Sequence, residues 1–220
     1  MKQVTWSHSA LKDYENCARK YHETRVLRNY KQEETEQIRY GNELHKAAEL
    51  YVAGTPLPAQ FQFLKPTLDA LLQKSGTKHA EVKMALTREL EPCDWKSKDA
   101  WVRGIADLMI LEEDKNLAWV VDYKTGSNKY PDTGQLDLMA LLVFACYPNI
   151  NKVNSALLFV VKDSVVSRSL KREAAEKIWW DYRERVARIE QAHNSGIWNT
   201  KPTPLCGWCP VRTCEYHKGK

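Results

Sequence analysis

The stretch WVRGIADLMILEEDKNLAWVVDYKTG, Trp101 to Gly126, leaves this chain few ways to fold. Two apolar runs rich in β-branched residues flank a polar segment, LEEDKN, the pattern of two buried strands joined in a hairpin. Each run carries one carboxylate where a core strand has no use for it: Asp107 in GIADLMI and Asp122 in WVVDYKTG. Lys124 follows Asp122 by two residues, so both side chains project from one strand face. Two acids and a lysine converging on one sheet face are costly to bury without a purpose. A divalent metal beside a phosphate supplies one. Taken alone, the Asp-x-Lys triplet is better read as an ion pair at a strand end.

The rest of the chain supplies helices and further strands around this hairpin. SHSALKDYENCARKYHET reads as a helix capped by Ser7 or Ser9, with Leu11, Tyr14, Cys17 and Tyr21 near one face. A second helix is expected from Glu33 to Val52, ended by GTPLP, with His45 at the margin of its apolar stripe. Pro58 to Lys74 reads as a third helix, and HAEVKMALTREL alternates like a strand with Glu81 just inside its start. After the turn-rich TGSNKYPDTG, the run GQLDLMALLVFACYP is long enough to be a helix buried on most sides. Ser155–Val161 and Val165–Leu170 are expected as strands, and Arg172 to about Asn194 as the last long helix, with Gly196 as its C-cap. The economical arrangement is an α/β fold with a mixed sheet flanked by helices. Its expected parts, within one domain of residues 1–220, are a helical segment 1–75, a sheet core 79–170, and a C-terminal helix and cysteine-rich tail 171–220.

Charge and cysteines are unevenly spread. Residues 1–31 carry seven Lys/Arg against three acids and residues 201–220 four against one, so the ends hold +4 and +3 of a net +5. Basic termini suit a polyanion such as DNA. MKQVTWSHS contains no apolar signal segment and no run is long enough to span a membrane, so a cytoplasmic, membrane-free protein is expected. Such a chain is not expected to carry a disulfide framework, and Cys206-x2-Cys209-x4-Cys214 instead supplies three thiolates seeking a fourth ligand. His217 would complete a Cys3His zinc site; Cys17 is the alternative from the other end. Cys93 and Cys146 have no partners nearby in sequence and read as inert.

Gly104, Asp107, Asp122, Lys124, Thr125, Gly126 and Gln135 stand as GxxDxM, VVDYKTG and GQL, with His45 upstream in GNELHKAAE. In this order they resemble the RecB-like branch of the PD-(D/E)xK nuclease superfamily. The resemblance implies a restriction-endonuclease-like core in which His45, Asp107, Asp122 and the Tyr123 backbone carbonyl hold Mg²⁺ or Mn²⁺. It makes Lys124 the catalytic lysine and lets Gln135 orient the site or touch the DNA backbone; Glu81 matches a commonly acidic position. One departure is Met139, where the family usually has a tyrosine four residues after the glutamine. SxLKDYENCARKYH, together with the tail cysteines, is similar to nucleases with an iron–sulfur staple, including AddB-type subunits and small CRISPR-associated and phage exonucleases. That likeness implies a 4Fe–4S cluster on Cys17, Cys206, Cys209 and Cys214 joining the chain ends, with zinc as the alternative. The expected activity is a metal-dependent DNA exonuclease on single-stranded ends. No GxxxxGK(S/T) motor motif is present, so unwinding would fall to a helicase, recombination or CRISPR-associated partner, and a homo-oligomer is compatible. The rival expectation is a nuclease-like module that binds DNA or a partner without cutting. Trp6, Trp208 and Tyr216 offer stacking surfaces for such a strand or packing around the cluster.

Overall fold

Alternating apolar side chains between residues 77 and 124 form three successive antiparallel strands, β1 (Thr77–Leu86), β2 (Val102–Glu112) and β3 (Leu117–Lys124). The computed structural model describes residues 4–31 and 34–218. Its helices are α1 (His8–Asn16), α2 (Ala18–Tyr21), α3 (Glu36–Val52), α4 (Lys65–Leu72), α5 (Gly134–Cys146) and α6 (Ala175–Ser195). β3 lies parallel to β4 (Lys152–Phe159), and α5 provides the crossover such a pairing requires. β5 (Ser164–Lys171) returns antiparallel, completing a five-stranded mixed sheet in the order β1-β2-β3-β4-β5. The mixed α/β class read from the sequence is the one observed. Among the described residues no helix is long and apolar enough to cross a membrane.

Two compact units divide the chain, Thr35–Trp179 and Met1–Glu34 with Trp180–Lys220. In the first, Leu44, Ala48, Phe61 and Leu68 from the α3–α4 region pack with Leu108, Ile110, Val121 and Tyr123 of the hairpin. Each large side chain removed from water there contributes roughly 1.5–3 kcal/mol. α5 is buried along almost its whole length, from Leu136 through the run Leu138–Phe144, as its unbroken apolar sequence requires. Gly104 explains how it comes so close. A Cβ at that position would lie 2.4 Å from Leu142 Cδ1 and 2.6 Å from Met139 Cε, so β2 admits α5 only because residue 104 has no side chain. Met139 is therefore a packing residue of the strand–helix contact.

Several boundaries differ from expectation for local reasons. The expected helix 58–74 is a 3-10 segment, Ala59–Leu64, followed by α4, because Pro66 occupies the first turn of α4, where no N–H is needed. β1 begins at Thr77 and stops at Leu86; a turn through Leu90, with φ 69°, takes the rest of TREL. α3 starts at Glu36, and the expected start at Glu33 lies outside the described residues.

In the other unit the expected continuous N-terminal helix is broken at Cys17, whose backbone is extended (φ −166°, ψ 112°) between α1 and α2. Cys17 is thus removed from the helical stripe of Leu11 and Tyr21. Trp6 is buried and stacks on Tyr182 at 5.5 Å, so it packs the interior rather than offering a surface. Arg185 forks onto Glu15 at 2.6 and 2.9 Å, and Trp198 stacks on His22 at 4.5 Å. The tail beyond Gly196 is irregular apart from a 3-10 turn, Pro204–Trp208.

Candidate active site

The strand register sets Glu81 of β1 across from Asp107 of β2, since Ala80 pairs with Leu108 and Val82 with Ala106. Glu81 itself leaves the ladder: its φ is +52°, a left-handed conformation that a glutamate adopts only under constraint. That local reversal turns its carboxylate toward Asp107 and toward His45 on α3. One donor atom from each of His45, Glu81 and Asp107 lies within 4.8 Å of the other two. Donors around a single Mg²⁺ with bonds near 2.1 Å stand about 3–4 Å apart. A small contraction suffices to hold an ion.

The group is fixed by its surroundings. His45 Nδ1 is 3.1 Å from Asp107 Oδ2, and the same oxygen accepts the Tyr123 backbone N–H at 2.7 Å. The His45 ring meets the Tyr123 ring edge-on at 6.0 Å. Burial alone would lower the His45 pKa, but the Asp107 hydrogen bond and the charges of Asp107 and Asp122 carry it above its ordinary value. Glu81 is raised by burial, then by the nearby charges of Asp107 and Glu49.

Asp122 and Lys124 form a second cluster at the end of β3. Their shared face brings Lys124 Nζ to 2.6 Å from Asp122 Oδ2. Gln135, in the first turn of α5, closes the ring: Lys124 Nζ donates to its Oε1 at 2.9 Å, and its Nε2 donates to Asp122 Oδ1 at 2.5 Å. Asp122 is only 6% exposed, and burial raises its pKa against the opposing pull of Lys124. Asp122 is not in the donor group of His45, Glu81 and Asp107. The two acids expected to meet at one point are engaged by different partners, although each contributes to the electrostatics of the other's cluster.

A cavity of about 590 Å³ opens beside the first cluster, lined by Gly41, Asn42, His45, Glu49, Glu81 and Thr125. Asn42 and Glu49 escaped the reading of the sequence. Their signal is helical spacing around His45, three residues before it and four after, which puts both on its side of α3.

In the unit Met1–Glu34 with Trp180–Lys220, Cys17, Cys206, Cys209, Cys214 and His217 line one cavity of about 510 Å³. The backbone N–H of Thr203 donates to Cys206 Sγ at 3.2 Å. Tetrahedral zinc at 2.3 Å from each sulfur needs donors about 3.8 Å apart. Among the described residues, the three-donor group within 4.8 Å is His45, Glu81 and Asp107, and not these cysteines. All six cysteines are free thiols.

A model of the PD-(D/E)XK nuclease superfamily matches residues 5–214. Of solved structures, a "Putative exonuclease" from Eubacterium rectale superposes with a TM-score of 0.54 at 11% identity, covering 99% of this chain and 88% of that one. The protein SSO0001 gives a TM-score of 0.43 at 13% identity over 100% and 90% of the two chains. No curated protein matches the chain in sequence.

Proposed function

Because this chain belongs to the PD-(D/E)XK nuclease superfamily, we propose that it is a Mg²⁺- or Mn²⁺-dependent DNA exonuclease of the RecB-like branch, acting on single-stranded ends. The observation that carries this reading is the donor group of His45, Glu81 and Asp107 beside the Lys124–Asp122–Gln135 ring. His45, Asp107, Asp122 and the Tyr123 carbonyl would hold the ion, with Glu81 as a further oxygen donor. The chemistry such an ion supplies is polarisation of a phosphoryl oxygen and acidification of a bound water.

The protein groups then divide the remaining work. Lys124 carries a compact positive charge and three donors, and it stabilises charge building on the phosphoryl oxygens or orients the attacking water. Gln135 holds Lys124 and Asp122 in one geometry before substrate arrives. Low accessibility at Asp122 strengthens each of these interactions.

The cysteine-lined cavity supports a 4Fe–4S cluster on Cys17, Cys206, Cys209 and Cys214 as a staple between the chain ends. The family match runs from residue 5 to residue 214, which supports reading both units as one nuclease domain. Basic segments at both termini would then hold and guide the strand.

End-labelled single- and double-stranded DNA, digested with Mn²⁺ by protein purified without oxygen, tests the reading. Wild type should shorten single strands from one end, and Asp122→Ala and Lys124→Ala should leave them intact. Unchanged degradation by either variant would remove the site assignment; binding without cutting by wild type would favour a silent DNA-binding module. Stoichiometric zinc in a colourless protein would replace the cluster.

A further inference from the structure

The segment between Lys124 and Gln135 begins and ends at site residues that are hydrogen-bonded to each other at 2.9 Å. Residues 125–134 therefore form a closed excursion from the active site, with Tyr130 near its middle. Gln135 is five positions along the chain from Tyr130, so the chain keeps the tyrosine within roughly 18 Å of that anchor. A second segment reaches the same place. The backbone N–H of Val160 donates to the Lys124 carbonyl at 3.1 Å, which starts the β4–β5 turn at the catalytic lysine. Asn128 Nδ2 donates to Ser164 Oγ at 2.8 Å and ties the two segments together.

The lip built this way is apolar and cationic. Tyr130 is 84% exposed, Val165 62% and Val161 49%. Lys129 Nζ sits 5.4 Å from the Tyr130 ring centroid, and Lys162 is exposed on the adjoining turn. Single exposed apolar residues are ordinary on any surface. Here three of them lie on two mutually anchored segments that both start from Lys124, with lysines on the same segments. A ring face and ammonium groups match what a single nucleic acid strand offers, namely base faces and phosphates.

We propose that Tyr130 stacks on an unpaired base close to the scissile phosphate, with Lys129 engaging the adjoining phosphate. A duplex hides its base faces in its own stack, so this contact favours single-stranded ends. The inference rests on the proposed DNA exonuclease activity and assigns a positioning residue to it.

The test uses the full chain, a labelled oligo-dT strand, and the same strand carrying one abasic nucleotide at successive positions from the cut end. Kd is read by anisotropy in EDTA, KM and kcat with Mn²⁺. Tyr130→Ala should raise Kd and KM about tenfold, the range of base–aromatic stacking, with kcat within about twofold. Tyr130→Phe and Tyr130→Trp should stay near wild type. One abasic position should cost wild type a similar factor and cost Tyr130→Ala nothing further, a coupling that mere loop support would not produce. Equal abasic penalties in wild type and Tyr130→Ala, or an unchanged Kd in Tyr130→Ala, would overturn the proposal. If wild type cuts no DNA, the nuclease reading falls, and the Kd comparison in EDTA still decides the stacking contact.

Discussion

His45, Glu81, Asp107, Asp122, Lys124 and Gln135 are carried on two helices and three paired strands, whereas three of the four cysteines proposed as cluster ligands lie in a tail that is irregular apart from one 3-10 turn. Strand pairing, the Tyr123 N–H and the Gln135 amide already fix the polar groups of the first set. The tail has a few ties of its own, such as Lys201 Nζ to the Glu15 carbonyl at 3.0 Å and the Arg19 N–H to the Asn199 carbonyl at 3.2 Å. The first region is organised for an ion and does not need it to fold. On the proposed reading the second would gain order from its ligand, as small metal-tied segments do.

The largest effect expected from this contrast is a separation of activity from stability at Asp122. Asp122→Asn should lower DNA cleavage by about a thousandfold or more, the scale of losing a central electrostatic group. Its folded pKa is raised by burial, so the neutral form is favoured on folding and the charge present above that pKa opposes stability. Replacing it with a neutral amide should leave Tm at pH 7 equal to wild type or higher. A drop of several degrees would mean that the ion pair with Lys124 supports the fold.

Cysteine substitution should behave in the opposite sense. Cys209→Ser or Cys17→Ser should lose bound iron and lower stability by roughly 3 kcal/mol or more, with new protease cleavage in the tail. EDTA treatment that strips divalent ions from the nuclease site should barely move Tm. Cysteine variants with wild-type Tm and metal content would erase the contrast.

A smaller effect is expected where β2 meets α5. Gly104→Ala puts a methyl group 2.4 Å from Leu142 Cδ1 and 2.6 Å from Met139 Cε, and overpacking of this kind costs about 1–3 kcal/mol. α5 also carries Gln135, so displacement should reduce cleavage about tenfold without touching a metal ligand. Adding Met139→Ala makes room and should restore part of both losses, read by thermal melts and initial rates. Independent, additive losses would show that Gly104 serves neither contact.

Legibility in the sequence followed the range of the interactions involved. The β2–β3 hairpin was readable because alternation and a polar turn are local, and the pairing of Asp122 with Lys124 follows from the period of a strand. The left-handed turn of Glu81 was not, because nothing in the alternation of β1 marks a residue that leaves its ladder. The break at Cys17 was hidden for a similar reason: its flanking residues have the composition of one helix, and its N–H still bonds to Asp13. The separate engagement of Asp107 and Asp122 depends on Gln135 arriving from a distant helix turn, which no spacing within the hairpin records.

Glu112, at the other end of β2, sharpens the comparison by showing a buried carboxylate that does stabilise. Its oxygens accept from Trp119 Nε1 at 2.7 Å, from Ser75 Oγ at 2.5 Å and from Lys115 Nζ at 2.5 Å. The Lys115, Ser75 and Trp119 hydrogen bonds lower its pKa from 4.5 to about 2, the reverse of the shift at Asp122. A lowered folded pKa contributes stability above the unfolded value and loses it as pH falls from about 4.5 toward 2. Glu112→Gln should therefore be less stable than wild type at pH 7, and the gap should narrow steadily below pH 4.5 in urea titrations. Parallel stability curves across that window would mean that the three donors hold a shape rather than a charge. The cleavage rate at neutral pH should be unchanged, because Glu112 belongs to the corner between Ser75 and Trp119 and not to the donor group of His45, Glu81 and Asp107.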